Sequence, residues 1–329
     1  FFRMPVGAGD LAANVAAFRT SIERNDATES ARLAESLFRD LLAPASDALK
    51  GIDVLVIAPD GPLHALPFPA LVDPATKHRL VEDRAIATTP SATILARNTR
   101  ANRRSPLAEA AILVVGNPHI DPRDAAGLAD LTGAGLEAAD VGNVYADAVV
   151  LTGDKATKRA FLRDAGRFDI VHFAGHAIAN DRYPMLSRLL LARASGDDPG
   201  VLFAHEILQA DLSRTSLVVL AACGTAVGPI KKGEGAIGLA RPFLARGVPA
   251  VVATLWDVDD RASRLLFQTF YQALHGGESP VRALRAAQLD LLRRQDPGLH
   301  APRAWAAFTA IGGLDDRLPP MTRFDGGQR

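Results

Sequence analysis

What most constrains the fold is a set of short apolar runs rich in β-branched residues, each stopped by turn residues and followed by a helical pattern. The runs fall at 53–58, 111–116, 148–151, 169–176, 217–225 and 248–254. Strands buried on both faces read as near-continuous apolar segments, and helices between successive strands make them parallel. Helical stretches at 135–146, 155–165, 204–210, 236–246, 261–275 and 278–294 alternate with these runs, and further strands are read at 187–192 and 304–311. The pattern predicts an α/β protein with a mostly parallel sheet flanked by helices. Leu33, Leu37, Phe38, Leu41 and Leu42 sit at helical spacing, so 9–50 reads as two more helices. Asp154 suits the cap of the 155–165 helix, and Gly247 stops the 236–246 helix.

Two of the runs end in reactive side chains beside glycine: one in Gly175-His176, the other in Cys223-Gly224. In an open parallel sheet such residues emerge at the carboxyl ends of the strands, where the crevice for ligands lies. An ordinary thiol is mostly protonated at neutral pH, and an imidazole that takes its proton makes it a nucleophile. Cys223 is therefore the candidate nucleophile and His176 the candidate base, with backbone N–H groups of Cys223 and of residue 176 or 177 facing a developing oxyanion. A lone cysteine by itself is more often an inert core residue; the pairing is what points to chemistry. His172, inside the run, reads as a satisfied core histidine and Asp169 as a solvated strand start. His64, His78, His119, His205, His275 and His300 read as structural or solvated.

Composition narrows the classes. Lys plus Arg and Asp plus Glu number 37 each, so no global field draws nucleic acid or an anionic membrane. One cysteine excludes an internal disulfide and fits a reducing compartment, which makes the cytoplasm the expected location. No apolar run approaches the roughly 18 residues of a membrane span. No C-x-x-C or H-E-x-x-H spacing is present, and Lys231-Lys-Gly-Glu-Gly235 lacks the G-K-[ST] of a phosphate loop, so neither metal nor cofactor is expected. The chain starts at Phe1 without a secretion-type apolar segment, and it is expected to be a piece of something longer.

The ordered set Pro59-Asp-Gly-Pro-Leu-His64, Leu66-Pro-Phe68, Pro90-Ser-Ala92, Gly116-Asn-Pro118, His172-Phe-Ala-Gly-His176, Ala222-Cys-Gly-Thr225, Gly233-Glu-Gly-Ala-Ile-Gly-Leu-Ala240, 252–260 and Trp305-Ala-Ala-Phe308 resembles the CHAT domain family, relatives of caspases and separase. That resemblance implies a caspase-like cysteine endopeptidase. It further implies a degenerate, pseudo-caspase half at 51–150 packed on a catalytic half at 151–329, after an N-terminal helical segment at 1–50 that links to an upstream regulatory or sensor domain. His176 carries over as base, Cys223 as nucleophile, and Ala177 and Cys223 as oxyanion donors. The family usually has glycine where Ala177 stands, so alanine there requires backbone dihedrals open to a Cβ.

The resemblance to separase in 255–260 makes Asp257, Asp259 and Asp260 candidates for binding a basic substrate side chain, with helix capping as the alternative for Asp259 or Asp260. Glu234 is a candidate for ordering the loop beside Cys223. The partner implied is a protein substrate. The competing class is a non-catalytic signalling or scaffold module on the same fold.

Overall fold

The computed structural model describes residues 6–101, 107–180, 182–194, 199–222 and 235–313. An N-terminal hairpin of α1 (Ala8–Glu23) and α2 (Ala27–Leu41) leads into β1 (Val54–Ile57), α3 (Leu80–Asp83), β2 (Ala85–Thr88) and α4 (Ala92–Ala101). Then come β3 (Ile112–Pro118), α5 (Thr132–Gly142), β4 (Ala148–Gly153), α6 (Lys158–Asp164) and β5 (Ile170–Ala174). β6 (Ala177–Ile178), β7 (Arg188–Leu190) and β8 (Val201–Phe203) form a small antiparallel sheet of their own, followed by α7 (Ala204–Ile207). The chain closes with β9 (Leu217–Ala221), α8 (Gly235–Ala245), β10 (Ala250–Thr254), α9 (Asp260–His275), α10 (Pro280–Arg293), α11 (Pro297–His300), α12 (Pro302–Trp305) and β11 (Phe308–Gly312).

The main sheet has the order β1-β2-β11-β10-β9-β5-β3-β4, and its strand pairs are parallel except β10 with β11. This is the mostly parallel, helix-flanked α/β architecture expected from the sequence. The sheet takes strands from both sides of residue 150, and β4 itself crosses that point.

The two-residue period of the strands sorts the core into two layers. Ile112, Val114, Ile170, Leu217, Val219 and Val252 face one cluster, which α5, α9 and α10 close with Ala138, Phe267, Tyr271 and Leu284. Leu113, Val115, Val171, Phe173, Val218, Leu220 and Val251 face the other, closed by Phe161, Ile207 and Phe243 from α6, α7 and α8.

Close approach of α5 to the sheet depends on glycine. A Cβ on Gly116 of β3 would fall 2.2 Å from the Cβ of Ala138.

The connection after β3 crosses the first face through α5, whereas the chain after β5 leaves over the second through the small sheet and α7. β3 and β5 are neighbours, so their loops part to opposite sides and leave a crevice at the carboxyl edge.

Several local readings are corrected. Thr157, not Asp154, caps α6 by accepting from the Ala160 N–H at 3.1 Å, while Asp154 pairs with His119 at 2.7 Å. The run at 187–192 shortens to β7 and joins the small sheet rather than the main one. The final run begins as α12 before becoming β11.

Candidate functional site

β5 is buried along its whole length because it is paired on both sides, with β3 and β9. Gly175 ends it where no side chain fits, since a Cβ there would lie 2.9 Å from Phe173 Cζ and 3.1 Å from Pro118 Cδ. His176 follows, 7% exposed, at the crevice between the β3 and β5 loops. Its Nε2 lies 2.8 Å from the carbonyl oxygen of Ala129, in the loop that leads to α5.

A carbonyl only accepts, so Nε2 carries the proton in the neutral ring and Nδ1 is left with its lone pair. Nδ1 is buried and has no hydrogen-bond partner among the described residues. The Ala129 loop is itself tied down by Asn117 at the end of β3, whose Oδ1 accepts from the Leu131 N–H at 3.0 Å. An imidazole held by one nitrogen presents the lone pair of the other in a fixed direction.

β9 runs in register with β5, with Ala221 opposite Ala174, and the Thr254 hydroxyl donates to the Ala222 carbonyl at 3.2 Å. The next residue, Cys223, and the loop candidate Glu234 lie outside the described residues. Ala177 is 1% exposed, is the first residue of β6, and is not among the residues with positive φ. Its backbone therefore accommodates a Cβ.

The three acids of the β10–α9 loop have separate surroundings. Asp259 is the cap of α9, accepting from the N–H groups of Arg261 at 3.0 Å and Ala262 at 3.3 Å. Asp260 packs on the first turn of α5, where a Cβ on Gly133 would fall 2.1 Å from its carboxylate oxygen. Asp257 makes no hydrogen bond or ion pair among the described residues. Trp256, whose Nε1 donates to the Arg303 carbonyl at 3.0 Å, holds the loop down beside it.

The Asp257 residue is exposed by area, yet protein crowds its carboxyl. Burial first, then the charge of Glu23, raises its pKa above the usual carboxylate value, against the pull of Arg19 and His176. Asp257 is thus an acid in electrostatic reach of both His176 and the Arg19–Glu23 pair of α1, whose side chains lie 2.6 Å apart.

Asp169 is not a solvated strand start. It is 7% exposed and accepts from Arg214 Nε at 3.0 Å, Arg214 Nη2 at 2.8 Å and the Ala111 N–H at 2.9 Å. Burial works to raise its pKa, but the guanidinium and the N–H outweigh it and hold the carboxyl below its ordinary value. His172 is the satisfied core histidine the sequence suggests: Nδ1 lies 2.9 Å from the Tyr271 hydroxyl and Nε2 3.0 Å from Glu137 Oε1. The sequence reading missed Ala129 altogether, since a main-chain carbonyl carries no residue signature. It missed Glu137 as well, which reads as an ordinary helix-face acid.

A mostly parallel sheet flanked by helices, with an oriented imidazole at its carboxyl edge, makes this an α/β protein with a candidate site at that edge. The CHAT domain family model matches residues 31–313, and the chain belongs to that family. The tetratricopeptide repeat protein 28 of Mus musculus is 25% identical over 301 residues, covering 78% of this chain but only 12% of that protein. Among solved structures, the Arg-specific cysteine proteinase gingipain R aligns with 91% of this chain and 73% of its own at 10% identity, with a TM-score of 0.49. The Saccharomyces cerevisiae separase–securin complex aligns with 84% of this chain and 18% of its own at 15% identity and a TM-score of 0.48. Among the described residues, no helix is long and apolar enough to cross a membrane.

Proposed function

We propose that this chain is a cysteine endopeptidase acting on a protein substrate through Cys223 and His176. The observation that carries the reading is the His176 ring, whose Nε2–H is committed to Ala129 while Nδ1 is buried and has no partner among the described residues. Nδ1 takes the Cys223 thiol proton, and the thiolate attacks the scissile carbonyl carbon. The developing oxyanion is met by the backbone N–H groups of Cys223 and Ala177. The C–N bond then breaks, and Nδ1–H passes its proton to the leaving amine. Water, deprotonated by Nδ1, hydrolyses the thioester and releases the acid, and the proton returns to sulfur. The strand register supports the pairing, since Ala174 and Ala221 lie side by side two residues before His176 and Cys223.

Asp257 is the acid best placed to meet a basic side chain, because Asp259 and Asp260 are engaged by helix ends. Glu234 orders the loop beside Cys223. In this reading a degenerate half, 51–150, and a catalytic half, 151–329, share one sheet. The protein works in the cytoplasm. The name of the mouse relative records tetratricopeptide repeats, which are helical pairs. The α1–α2 hairpin is the end through which an upstream region of that kind would control the site.

The test is alkylation of Cys223 by iodoacetamide across pH, together with cleavage of a peptide library. Reaction faster than that of an ordinary thiol at neutral pH, lost in His176→Ala, and cleavage lost in both His176→Ala and Cys223→Ala are expected. Slow alkylation that ignores His176 refutes the dyad and leaves a scaffold module.

A further inference from the structure

One short stretch of chain grips both His172 of β5 and His176 just beyond its end. Ala129 holds His176, and in the second turn of the helix that follows, Glu137 of α5 holds His172. Glu137 Oε2 also accepts from the Ser263 hydroxyl of α9 at 2.7 Å, and Tyr271 of α9 meets the other nitrogen of His172. His172 and Tyr271 are fully buried and Glu137 is 3% exposed, with Phe267 edge-on to the imidazole at 5.1 Å. Burial, with Tyr145 and Glu137 beside it, pushes the Tyr271 hydroxyl well above the usual phenol range. The phenol therefore stays protonated and donates to Nδ1, and the Nε2–H of His172 points at the Glu137 carboxylate.

Such a cluster is a poor way to add stability. A carboxylate and an imidazole taken from water lose hydration, and apolar side chains of similar volume would fill the same space without that loss. What hydrogen bonds add is direction and register, which hydrophobic contact leaves loose.

The elements joined are the ones that build the site. β5 is followed by His176, α5 is preceded by the Ala129 carbonyl, and α9 is preceded by Asp257. Among the described residues, the hydrogen bonds of His172, Glu137 and Tyr271 do not involve His176. We propose that Glu137 and His172 are positioning residues that fix the offset between β5 and α5, and so keep the Ala129 carbonyl against Nε2 of His176. This rests on His176 being the base.

Three variants read by iodoacetamide alkylation across pH and by thermal unfolding decide it. Glu137→Gln keeps an acceptor for His172 and an NH2 group for Ser263, so histidine-dependent reactivity should stay within about threefold of the parent. Combining Glu137→Leu, His172→Leu and Tyr271→Phe makes the cluster apolar, and melting should hold or rise. Its alkylation at neutral pH should nonetheless fall about ten- to a hundredfold, with the pH profile moving to that of an ordinary thiol near 8.5. If the combined variant does not fold, Glu137→Asp takes its place. It keeps the charge but withdraws the carboxylate by one methylene, and should show the same loss.

A folded apolar variant, or Glu137→Asp, with the parent's rate and profile overturns the proposal. So does Glu137→Gln falling as far as the others, which would make charge rather than position the cause. If the parent already matches His176→Ala, the base assignment fails instead, and the positioning role falls with it.

Discussion

Replacing Gly116 with alanine tests whether contact between β3 and α5 governs both stability and the site. The new Cβ would lie 2.2 Å from Ala138 Cβ and 3.0 Å from the Ala134 carbonyl oxygen. Carbons at van der Waals contact sit roughly 3.5–4.0 Å apart, so strand and helix must separate by more than an ångström. β3 is held in register between β4 and β5, which leaves α5 to move. Overpacking typically costs about 1–3 kcal/mol, and here neither partner has a rotamer to relax. The expected loss is about 3 kcal/mol, or roughly 6 °C in melting temperature for a chain of this size.

Ala138→Gly removes the opposing methyl and costs about 1 kcal/mol as a glycine in a helix. Together the two changes restore one methyl at the contact and leave only the tight approach to Ala134. The double variant should therefore lie about 1–2 kcal/mol below the parent rather than 4, a coupling of about 2–3 kcal/mol. Urea denaturation of the four proteins measures that cycle. Additive losses, or a Gly116→Ala protein as stable as the parent, would refute the account. Because α5 follows the Ala129 loop, Gly116→Ala alone should also slow alkylation of Cys223, and the double variant should recover it.

Asp257→Asn should weaken any preference for arginine or lysine before the scissile bond by about tenfold or more. With its pKa raised, the parent should lose that preference on acidification sooner than an ordinary carboxylate would, as a pH series with matched peptides would show. The same variant should melt higher than the parent at neutral pH, since ionised Asp257 is disfavoured in the fold, and equal to it at a pH where the acid is protonated in both states. Asp169→Asn should destabilise by about 1–3 kcal/mol at neutral pH in denaturant titrations. As its folded pKa is lowered, that difference should persist above the unfolded carboxylate value and vanish as pH falls through the folded one. Asp259→Ala should cost about 1 kcal/mol by removing the cap of α9, with cleavage specificity unchanged.

The strands of the main sheet core were legible because burial on both faces demands unbroken apolar runs, as in 112–115 of β3 and Leu217–Ala221. Short strands without such runs were not: β2, β6 and β8 hold four, two and three residues, and their pairing is set by neighbours distant in the chain. The place of His176 at a strand end could be read from Gly175-His176. The carbonyl that orients it could not, because any residue supplies one and Ala129 lies in a stretch without periodicity. Asp169 misled for a related reason, since its guanidinium partner comes 45 residues later. Among the loop acids, only the fold separates Asp257 from Asp259 and Asp260, which helix ends have claimed.

The single antiparallel pairing of the main sheet, β10 with β11, has a bearing on biosynthesis. β2 reaches the rest of the sheet through β11, at 308–312, with Arg285 of α10 bonding the Val81 and Glu82 carbonyls just ahead of it. During translation the ribbon of β1 and β2 must wait, unmatched, while more than two hundred further residues are made. A message cut short before codon 308 would leave that ribbon with no edge to join, so quality control would meet a nascent chain already folded in its middle but open along one border.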